Sequence, residues 1–176
     1  MKISKEPMIQ KLLEIDERHT RRLTIAERPG PLRTLAILLA HSGDSWFWIA
    51  GLALVWLLGT QFWKGLALAL AAGVLITAVL VLLIKFSVRR RRPQGEWGSI
   101  YRNTDPHSFP SGHAARAVML AVMALGLGPA WFGVLMLLWA PLVPLARVAM
   151  GVHYLSDVIA GALFGVLTGS LMLQLF

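Results

Sequence analysis

Three short polar segments in the second half of the chain carry side chains that could bind and transfer an anionic group. They read KFSVRRRRP (85–93), PSGH (110–113) and RVAMGVHYLSD (147–157). Six of their residues are candidates for this chemistry, namely three cations, two histidines and one carboxylate: Lys85, Arg92, Arg147, His113, His153 and Asp157. Fixed cations stabilise the charge that spreads over the oxygens of a phosphoryl group during its transfer. The set therefore indicates phosphoryl-transfer chemistry.

Five residues are predicted to bind the phosphate: Lys85, Arg92, Ser111, Gly112 and Arg147. Arginine offers a planar fork that binds two phosphate oxygens, whereas the lysine ammonium acts as a point charge. Ser111 and Gly112 precede an apolar run, so the backbone N–H groups at the start of the predicted helix would point towards an anion. Glycine at this position permits a close approach to the bound group.

His153 and Asp157 are spaced four residues apart, which places both on one face of a helix. A carboxylate bound to Nδ1–H fixes the tautomer of a histidine and leaves Nε2 free to attack. We therefore predict that His153 is the nucleophile and forms a phosphohistidine, and that Asp157 orients it. His113 is predicted to protonate the leaving oxygen as a general acid and then to activate water as a general base.

Other ionisable residues have simpler interpretations. Three histidines outside these segments are assigned to structure or interface: His19, His41 and His107. The run 89–91 is typical of arginines that follow the positive-inside rule or contact lipid head groups. Asp44 is interpreted as a helix cap, with a supporting role at the site as the alternative, and Asp105 as a loop residue. Asp157 has capping beside Ser156 as its own alternative.

The residue types argue against a metal ion. Zinc prefers closely spaced His or Cys ligands, and the chain has no cysteine. Magnesium-dependent phosphatases gather carboxylates, whereas these segments contain more cations than carboxylates. We predict that the protein uses no metal or other cofactor and that its activity survives a chelator.

The three segments resemble those of the type 2 phosphatidic acid phosphatase superfamily of membrane lipid phosphatases. The family pattern is Lys, six residues, Arg-Pro; then Pro-Ser-Gly-His; then Ser-Arg, five residues, His, three residues, Asp. Every element is present here in order between residues 85 and 157, except that Ala146 replaces the serine before Arg147. The resemblance implies hydrolysis of a lipid phosphate, with the phosphate-binding and catalytic roles assigned above.

The composition predicts that membrane helices hold these segments. The chain has 56% hydrophobic and 15% charged residues and a mean hydropathy of +0.63, a balance typical of integral membrane proteins. Five apolar segments recur at residues 46–59, 65–84, 117–128, 131–146 and 158–176. Backbone polar groups in a bilayer must be satisfied within helices or a closed barrel, and these runs are too long for barrel strands. The predicted fold is therefore an all-α polytopic membrane bundle of five to six transmembrane helices.

A sixth apolar segment, residues 31–43, is too short to cross the membrane alone. It is interpreted as a half-helix, an interfacial helix or an extension of the next span. Residues 2–28 mix charged and apolar side chains, which predicts an amphipathic helix at the membrane surface. The predicted domains are an amphipathic interfacial helix over 1–30 and a single transmembrane phosphatase domain over 31–176. Glycines within 160–170 either allow close helix packing or reflect the abundance of glycine in membrane helices.

If successive spans reverse direction, all three polar segments lie on one side of the membrane. Basic residues accumulate on that side, against Lys64 on the other: Lys85, Arg89, Arg90, Arg91, Arg92, Arg102, Arg116 and Arg147. The positive-inside rule would place this side in the cytoplasm. The family resemblance implies the opposite, and we predict a bacterial inner-membrane protein whose active site faces the periplasm or the exterior.

A phosphate site at the ends of membrane helices suits a substrate whose tail stays in the lipid bilayer. We predict a lipid phosphate monoester or pyrophosphate, because members of the similar family hydrolyse phosphatidic acid, phosphatidylglycerophosphate, undecaprenyl pyrophosphate or the 1-phosphate of lipid A. An anion-binding transporter, which would carry ionisable residues nearer the midplane, and a non-catalytic membrane protein are the alternatives. The pI of 10.9 does not indicate nucleic acid, because the charge adjoins membrane spans without a nucleic-acid-binding motif.

Overall fold

The computed structural model describes residues 6–95, 97 and 105–176, so residues 1–5 and Arg102 lie outside it. Over the described residues the chain forms eight α-helices: α1 Glu6–Leu23, α2 Pro31–Ser42, α3 Ser45–Leu58, α4 Gln61–Val88, α5 Gly112–Leu127, α6 Ala130–Trp139, α7 Leu142–Ala149 and α8 Leu155–Met172. The predicted all-α class is confirmed.

Three helical segments in the described part of the chain are long and apolar enough to cross a membrane. They are α4 with 28 residues, α6 and α7 together with 20, and α8 with 18. Two further apolar helices, α3 and α5, have 14 and 16 residues. Each of the five apolar segments in the sequence is therefore helical, with residues 131–146 divided between α6 and α7, as expected for a multi-pass membrane protein.

Helix α2 is separate from the span that follows it. Its 12 residues end at Ser42, and Asp44 has an extended backbone before α3 begins. At about 1.5 Å per residue α2 is roughly 18 Å long, well short of the hydrocarbon thickness. Of the three interpretations of residues 31–43, an extension of the next span is therefore wrong.

A stripe of glycines brings α8 against α5. A Cβ atom on Gly161 or Gly165 would collide with the backbone oxygen of Ser111 or Ala115, and one on Gly169 would lie 2.8 Å from the Cβ of Val122. These residues are four apart and so share one helix face, an arrangement that lets two membrane helices pack backbone to backbone. Close packing is thus the role of these glycines, and it places the start of α5 beside the start of α8.

The two ends of the bundle differ sharply. At one end the rings of Trp63, Trp131 and Phe132 pack together with centroids 6.0 Å apart. At the other end Arg92 and Ser108, in the described part of the connection between α4 and α5, meet the turn between α7 and α8, and helix α1 joins them. The chain leaving α1 is fixed there by a hydrogen bond from the backbone N–H of Ile25 to the carbonyl oxygen of Ala149, 2.8 Å. The predicted alternation of span direction therefore brings the polar segments together.

Candidate active site

His153 lies in the turn between α7 and α8 and is only 1% exposed. Its Nδ1–H donates to the backbone carbonyl oxygen of Ser108 at 2.9 Å. The nearer oxygen of Asp157 is 3.7 Å from the same nitrogen, too far for a hydrogen bond. We expected Asp157 to fix the tautomer, but the acceptor is the Ser108 carbonyl, which leaves Nε2 with a lone pair.

Positive charge surrounds the other nitrogen of His153. Arg92 donates from Nη1 to Nε2 at 3.2 Å and to the carbonyl oxygen of Val152 at 2.8 Å. Burial, followed by the positive charges of Arg92, Arg147 and Lys85, lowers the pKa of His153 well below its usual value. His153 is therefore a neutral imidazole whose unprotonated nitrogen points into a field of cations.

Asp157 is completely buried, and its carboxylate accepts hydrogen bonds from the Ser108 side chain and from two further donors. One carboxylate oxygen accepts from the backbone N–H of Tyr154 at 2.9 Å, which caps the helix. The other accepts from Arg90 Nη1 at 2.7 Å. Asp157 therefore both caps α8 and lies near His153, because the capping bond holds its carboxylate 3.7 Å from the imidazole.

The cations predicted to bind phosphate are buried, and two of them already hold a carboxylate. Lys85 and Arg92 are 4% and 5% exposed, and Arg147 is 1% exposed. Arg92 donates to Asp105 Oδ2 at 2.8 Å, and Lys85 Nζ donates to the same oxygen. Asp105, interpreted from sequence as a loop residue, thus places an anionic oxygen between two cations, where a phosphate oxygen would have to displace it.

Ser111 and Gly112 form the start of α5, as predicted. Ser111 is fully buried, and its hydroxyl accepts from the backbone N–H of Ala114 at 3.4 Å. Its own backbone N–H donates to the carbonyl oxygen of Asp157 at 3.0 Å. The beginnings of α5 and α8 are therefore joined directly, so the helix end predicted to face the anion lies next to the His153–Asp157 pair.

His113 is paired with a carboxylate from a distant part of the chain. Its Nε2–H donates to Asp44 Oδ1 at 2.6 Å, and Nδ1–H of His41 donates to Asp44 Oδ2 at 3.1 Å. Burial by itself would raise the pKa of Asp44, but hydrogen bonds and charge interactions with His113 and His41 lower it to about 2. Asp44 stands at the N-cap of α3 without making a side-chain capping hydrogen bond. The capping interpretation is therefore wrong, and its carboxylate serves the two histidines instead.

Two other residues shape the surroundings of these pairs. Arg116, 7% exposed, donates to the carbonyl oxygen of Gly43 and so ties α5 to the turn that carries Asp44. Ala146, which replaces the family serine, belongs to a buried apolar cluster with Ala36 and Ala40 of α2. A methyl group here packs against the small residues of α2, where a hydroxyl would be surrounded by apolar atoms.

Sequence reasoning missed several residues that contact the predicted site: His41, Arg90, Asp105 and Ser108. Of these, Arg90 was grouped with the arginines beside it, and Ser108 contributes a backbone oxygen that no side-chain pattern reveals. Asp44, whose supporting role at the site was the alternative interpretation, carried a usable signal as an acidic residue at the start of a span on the same side as the polar segments. His41 lies three residues from Asp44, whereas Arg90 and Asp105 contact residues far from them in the chain.

Comparison with known proteins identifies similar sequences and folds. Residues 63–176 match the family model described as the PAP2 superfamily. The chain is 32% identical to the decaprenylphosphoryl-5-phosphoribose phosphatase of Mycobacterium tuberculosis H37Rv over 84% of this chain and 82% of that protein. It is 34% identical to the undecaprenyl-diphosphatase of Sulfolobus acidocaldarius over 76% of this chain and 66% of that protein.

Two solved structures have the same fold. The crystal structure of a transmembrane PAP2 type phosphatidylglycerolphosphate phosphatase from Bacillus subtilis superposes with a TM-score of 0.75 at 21% identity, covering 94% of this chain and 86% of that one. The crystal structure of Aquifex aeolicus LpxE gives a TM-score of 0.68 at 24% identity, covering 92% of this chain and 94% of that one.

Proposed function

The chain belongs to the PAP2 superfamily, and from that premise we propose that it hydrolyses a lipid phosphate monoester or pyrophosphate through a phosphohistidine at His153. One observation carries the proposal. The unprotonated Nε2 of the buried His153 lies 3.2 Å from Arg92, whose guanidinium and the Lys85 ammonium together hold an anionic oxygen of Asp105. The Arg92 guanidinium therefore contacts both the proposed nucleophile and the proposed anion-binding position.

The reaction follows from these contacts. The phosphate of the substrate replaces the Asp105 carboxylate between Lys85 and Arg92, and Arg92 turns its donors from Nε2 to the phosphate oxygens. Nε2 then attacks phosphorus in line as the bond to the leaving oxygen breaks, while His113 donates a proton to that oxygen. Fixed cations stabilise the charge on the equatorial oxygens without reorganisation.

The second half of the reaction restores the enzyme. His113, now neutral, removes a proton from water as the water oxygen attacks phosphorus, and the bond from phosphorus to Nε2 breaks to release inorganic phosphate. The negative charge of Asp157, 3.7 Å from Nδ1, stabilises the positive charge that His153 carries in the phosphohistidine. The donor set contains cations and imidazoles rather than clustered carboxylates, so every step is assigned to the protein's own residues.

The substrate class is proposed from the relatives and from the position of the site. The similar proteins are named for decaprenylphosphoryl-5-phosphoribose, undecaprenyl diphosphate and, over a shorter region, lipid A 1-phosphate. The site lies at one end of a bundle of apolar helices, where the polar head of a lipid reaches the protein and its tail stays in the bilayer. Polyprenyl phosphates and pyrophosphates are therefore the first substrates to test. The same position of the site disfavours a transporter, which needs ionisable residues near the membrane midplane.

The proposal is tested by release of phosphate from a panel of lipid phosphates by the purified full-length protein in EDTA. We expect release by the wild type and its loss in His153→Ala, with His19→Ala as a matched control because His19 is exposed on α1 and contacts the carbonyl oxygen of Ile15 in its own helix. Release by His153→Ala at the wild-type rate would refute the proposed nucleophile. Loss of the wild-type activity in EDTA alone would refute the metal-independent reaction.

We also propose that the protein lies in a bacterial inner membrane with the active site on the periplasmic or exterior side. Four of the basic residues that favour the cytoplasm make ion pairs or lie buried within the site, which weakens the charge argument: Lys85, Arg90, Arg92 and Arg147. Because the chain has no cysteine, Arg91→Cys on the exposed site end and Gln61→Cys on the opposite end can be labelled separately. Labelling of residue 91 but not residue 61 by an impermeant reagent in intact cells is expected, and the reverse pattern would place the site in the cytoplasm.

A further inference from the structure

Arg90 differs from the two arginines that flank it. Arg89 ends α4 with a left-handed backbone (φ 54°, ψ 34°), and both Arg89 and Arg91 are exposed. The Arg90 side chain is only 17% exposed and donates from Nη1 to Asp157 Oδ1 at 2.7 Å and from Nη2 to Asp16 Oδ2 at 2.8 Å. One residue of an apparently uniform basic run thus bridges two carboxylates.

The first of these carboxylates belongs to the catalytic pair. Asp157 has no exposed surface and lies 3.7 Å from His153 Nδ1, and Arg90 holds one of its oxygens while the Tyr154 backbone holds the other. The Arg90 guanidinium also lies 4.0 Å from the centre of the Tyr154 ring. The planar guanidinium presents Nη1 to Asp157 and Nη2 to Asp16, so one rigid group holds the two carboxylates in a fixed relation, which the point charge of an ammonium group does not.

The second carboxylate belongs to the N-terminal helix. Asp16 Oδ1 accepts from the backbone N–H of Ser156 at 3.1 Å, and Asp16 Oδ2 accepts from the Ser156 hydroxyl. Thr20, on the next turn of α1 and 2% exposed, accepts from the backbone N–H of Leu155 at 3.0 Å. The first N–H groups of a helix have no partner within the helix. Here the side chains of α1 supply those partners for α8.

The remaining surface of α1 is of a different character. Large apolar side chains on it are exposed: Met8, Leu12, Leu13, Ile15 and Leu23. Such a helix lies in the membrane interface with its apolar side towards the acyl chains. The polar side, through Asp16 and Thr20, is therefore what attaches α1 to the helix that carries Asp157.

We propose that Arg90 is a positioning residue of the active site, which locks Asp157 beside the nucleophile and links it through Asp16 to the interfacial helix α1. The inference rests on the proposed role of His153. Without Arg90 the Asp157 carboxylate keeps its hydrogen bonds to Tyr154 and Ser108 but loses its charged partner, so the negative charge that stabilises the phosphohistidine is placed less accurately. A misplacement of about 1 Å costs on the order of 10²-fold in rate.

The test compares the full-length variants Arg90→Gln and Arg91→Gln, the same substitution at neighbouring positions, in detergent with the fastest substrate of the panel above. We expect Arg90→Gln to lower kcat by about ten- to a hundredfold with KM within about twofold, and Arg91→Gln to leave both unchanged. Arg90→Lys, which keeps the charge but not the fork, should restore only part of kcat. Asp16→Asn should reduce kcat less than Arg90→Gln does.

Folding and function are separated by measuring the melting temperature of every variant. If Arg90→Gln does not fold, Arg90→Lys and Asp16→Asn decide, and wild-type kcat in both would overturn the inference. It is also overturned if folded Arg90→Gln has the wild-type kcat, or if it changes KM rather than kcat. A wild-type protein that releases no phosphate from any panel member would instead refute the proposed function.

Discussion

The two histidine–carboxylate pairs of the site are built in opposite ways. His153 and Asp157 are four residues apart, are 1% and 0% exposed, and are separated by 3.7 Å without a direct hydrogen bond. His113 and Asp44 are 69 residues apart, are each 17% exposed, and are joined by a hydrogen bond of 2.6 Å. The other oxygen of Asp44 accepts a hydrogen bond from His41, whose side chain is 49% exposed.

The difference matches the two tasks in the proposed reaction. A nucleophilic histidine must stay unprotonated, and burial among three cations achieves this while the carboxylate remains at a distance. An acid–base histidine must lose and regain a proton in each cycle, and a hydrogen-bonded carboxylate stabilises its protonated form. The chain His113–Asp44–His41 connects it to an exposed imidazole, so the site combines one sealed pair with one pair that communicates with solvent.

The largest effect expected to distinguish the two pairs is the dependence of the His113→Ala rate on whether the leaving group must be protonated. We predict that His113→Ala lowers kcat by about 10²- to 10⁴-fold with a lipid phosphate. A 4-nitrophenyl ester of phosphate needs no proton on its leaving oxygen, so the variant should still release a burst of nitrophenol at near the wild-type rate and then stall as phosphohistidine. Rapid-mixing measurements check this, with His153→Ala as the control that gives no burst. Equal losses with both substrates would contradict the role of His113 as general acid.

Asp44→Asn tests the carboxylate of the His113–Asp44 pair. The amide removes the negative charge that stabilises a protonated His113 and weakens the bond that orients its ring, so we expect kcat to fall by about 10²-fold with little change in KM. Steady-state kinetics on the lipid substrate measure the effect. Asp105→Asn is an informative companion, because loss of the carboxylate that competes for Lys85 and Arg92 should lower KM. If Asp44→Asn changes only KM, the comparison between the two pairs fails.

The pH dependence of kcat/KM tests the buried His153–Asp157 pair. Because the pKa of His153 is lowered, the imidazole stays neutral at pH values where an ordinary histidine is protonated, and the acidic limb of the profile should lie below about pH 6.5. Asp44, with a pKa of about 2, remains ionised throughout this range. Arg92→Gln removes one of the cations that lower the pKa of His153, so the limb should move to higher pH. A limb that stays in place in this variant would show that another group produces it.

The smallest effect is expected for His41→Ala. The variant keeps the Asp44–His113 bond and removes only the exposed end of the chain, so we predict a loss in kcat of less than about tenfold, below the usual range for a direct acid–base group. Free imidazole in the buffer should restore the loss, because it can take the place of the His41 ring beside Asp44, and an inert buffer of equal ionic strength is the control. No rescue would mean that Asp44 does not depend on a second imidazole partner.

Several features of the fold and site were predictable from local sequence. A stretch of twenty apolar residues is too long for a barrel strand and must cross a bilayer as a helix, so residues 65–84 had to be helical. The spacing of His153 and Asp157 placed them on one face, and the alternation of spans placed Ser111 and Arg147 at the same end. The stripe Gly161, Gly165 and Gly169 was visible, but its meaning was not, because glycine is also common in membrane helices without contacts.

Other features were hidden because residues of one type look alike in a sequence. Arg89, Arg90 and Arg91 form a uniform basic run, and only the fold shows that one of them joins two carboxylates while its neighbours are exposed. The acceptor that sets the tautomer of His153 is a backbone oxygen, and every residue has one. The aspartate four residues along was the obvious candidate, and it is 0.8 Å further from Nδ1 than Ser108 is, as 3.7 Å compares with 2.9 Å.

The sequence by itself determined the helical membrane fold and the identity of the groups that meet at one end of it. These depend on local rules, namely the length of apolar runs, the period of the helix and the spacing of residues within a single turn. Only the tertiary structure decided the pairings of His113 with Asp44 and of Arg90 with Asp16. Those contacts span 69 and 74 residues, and they exist because the depth at which helices pack, set by contacts such as Gly161 against Ser111, brings particular side chains within hydrogen-bonding distance.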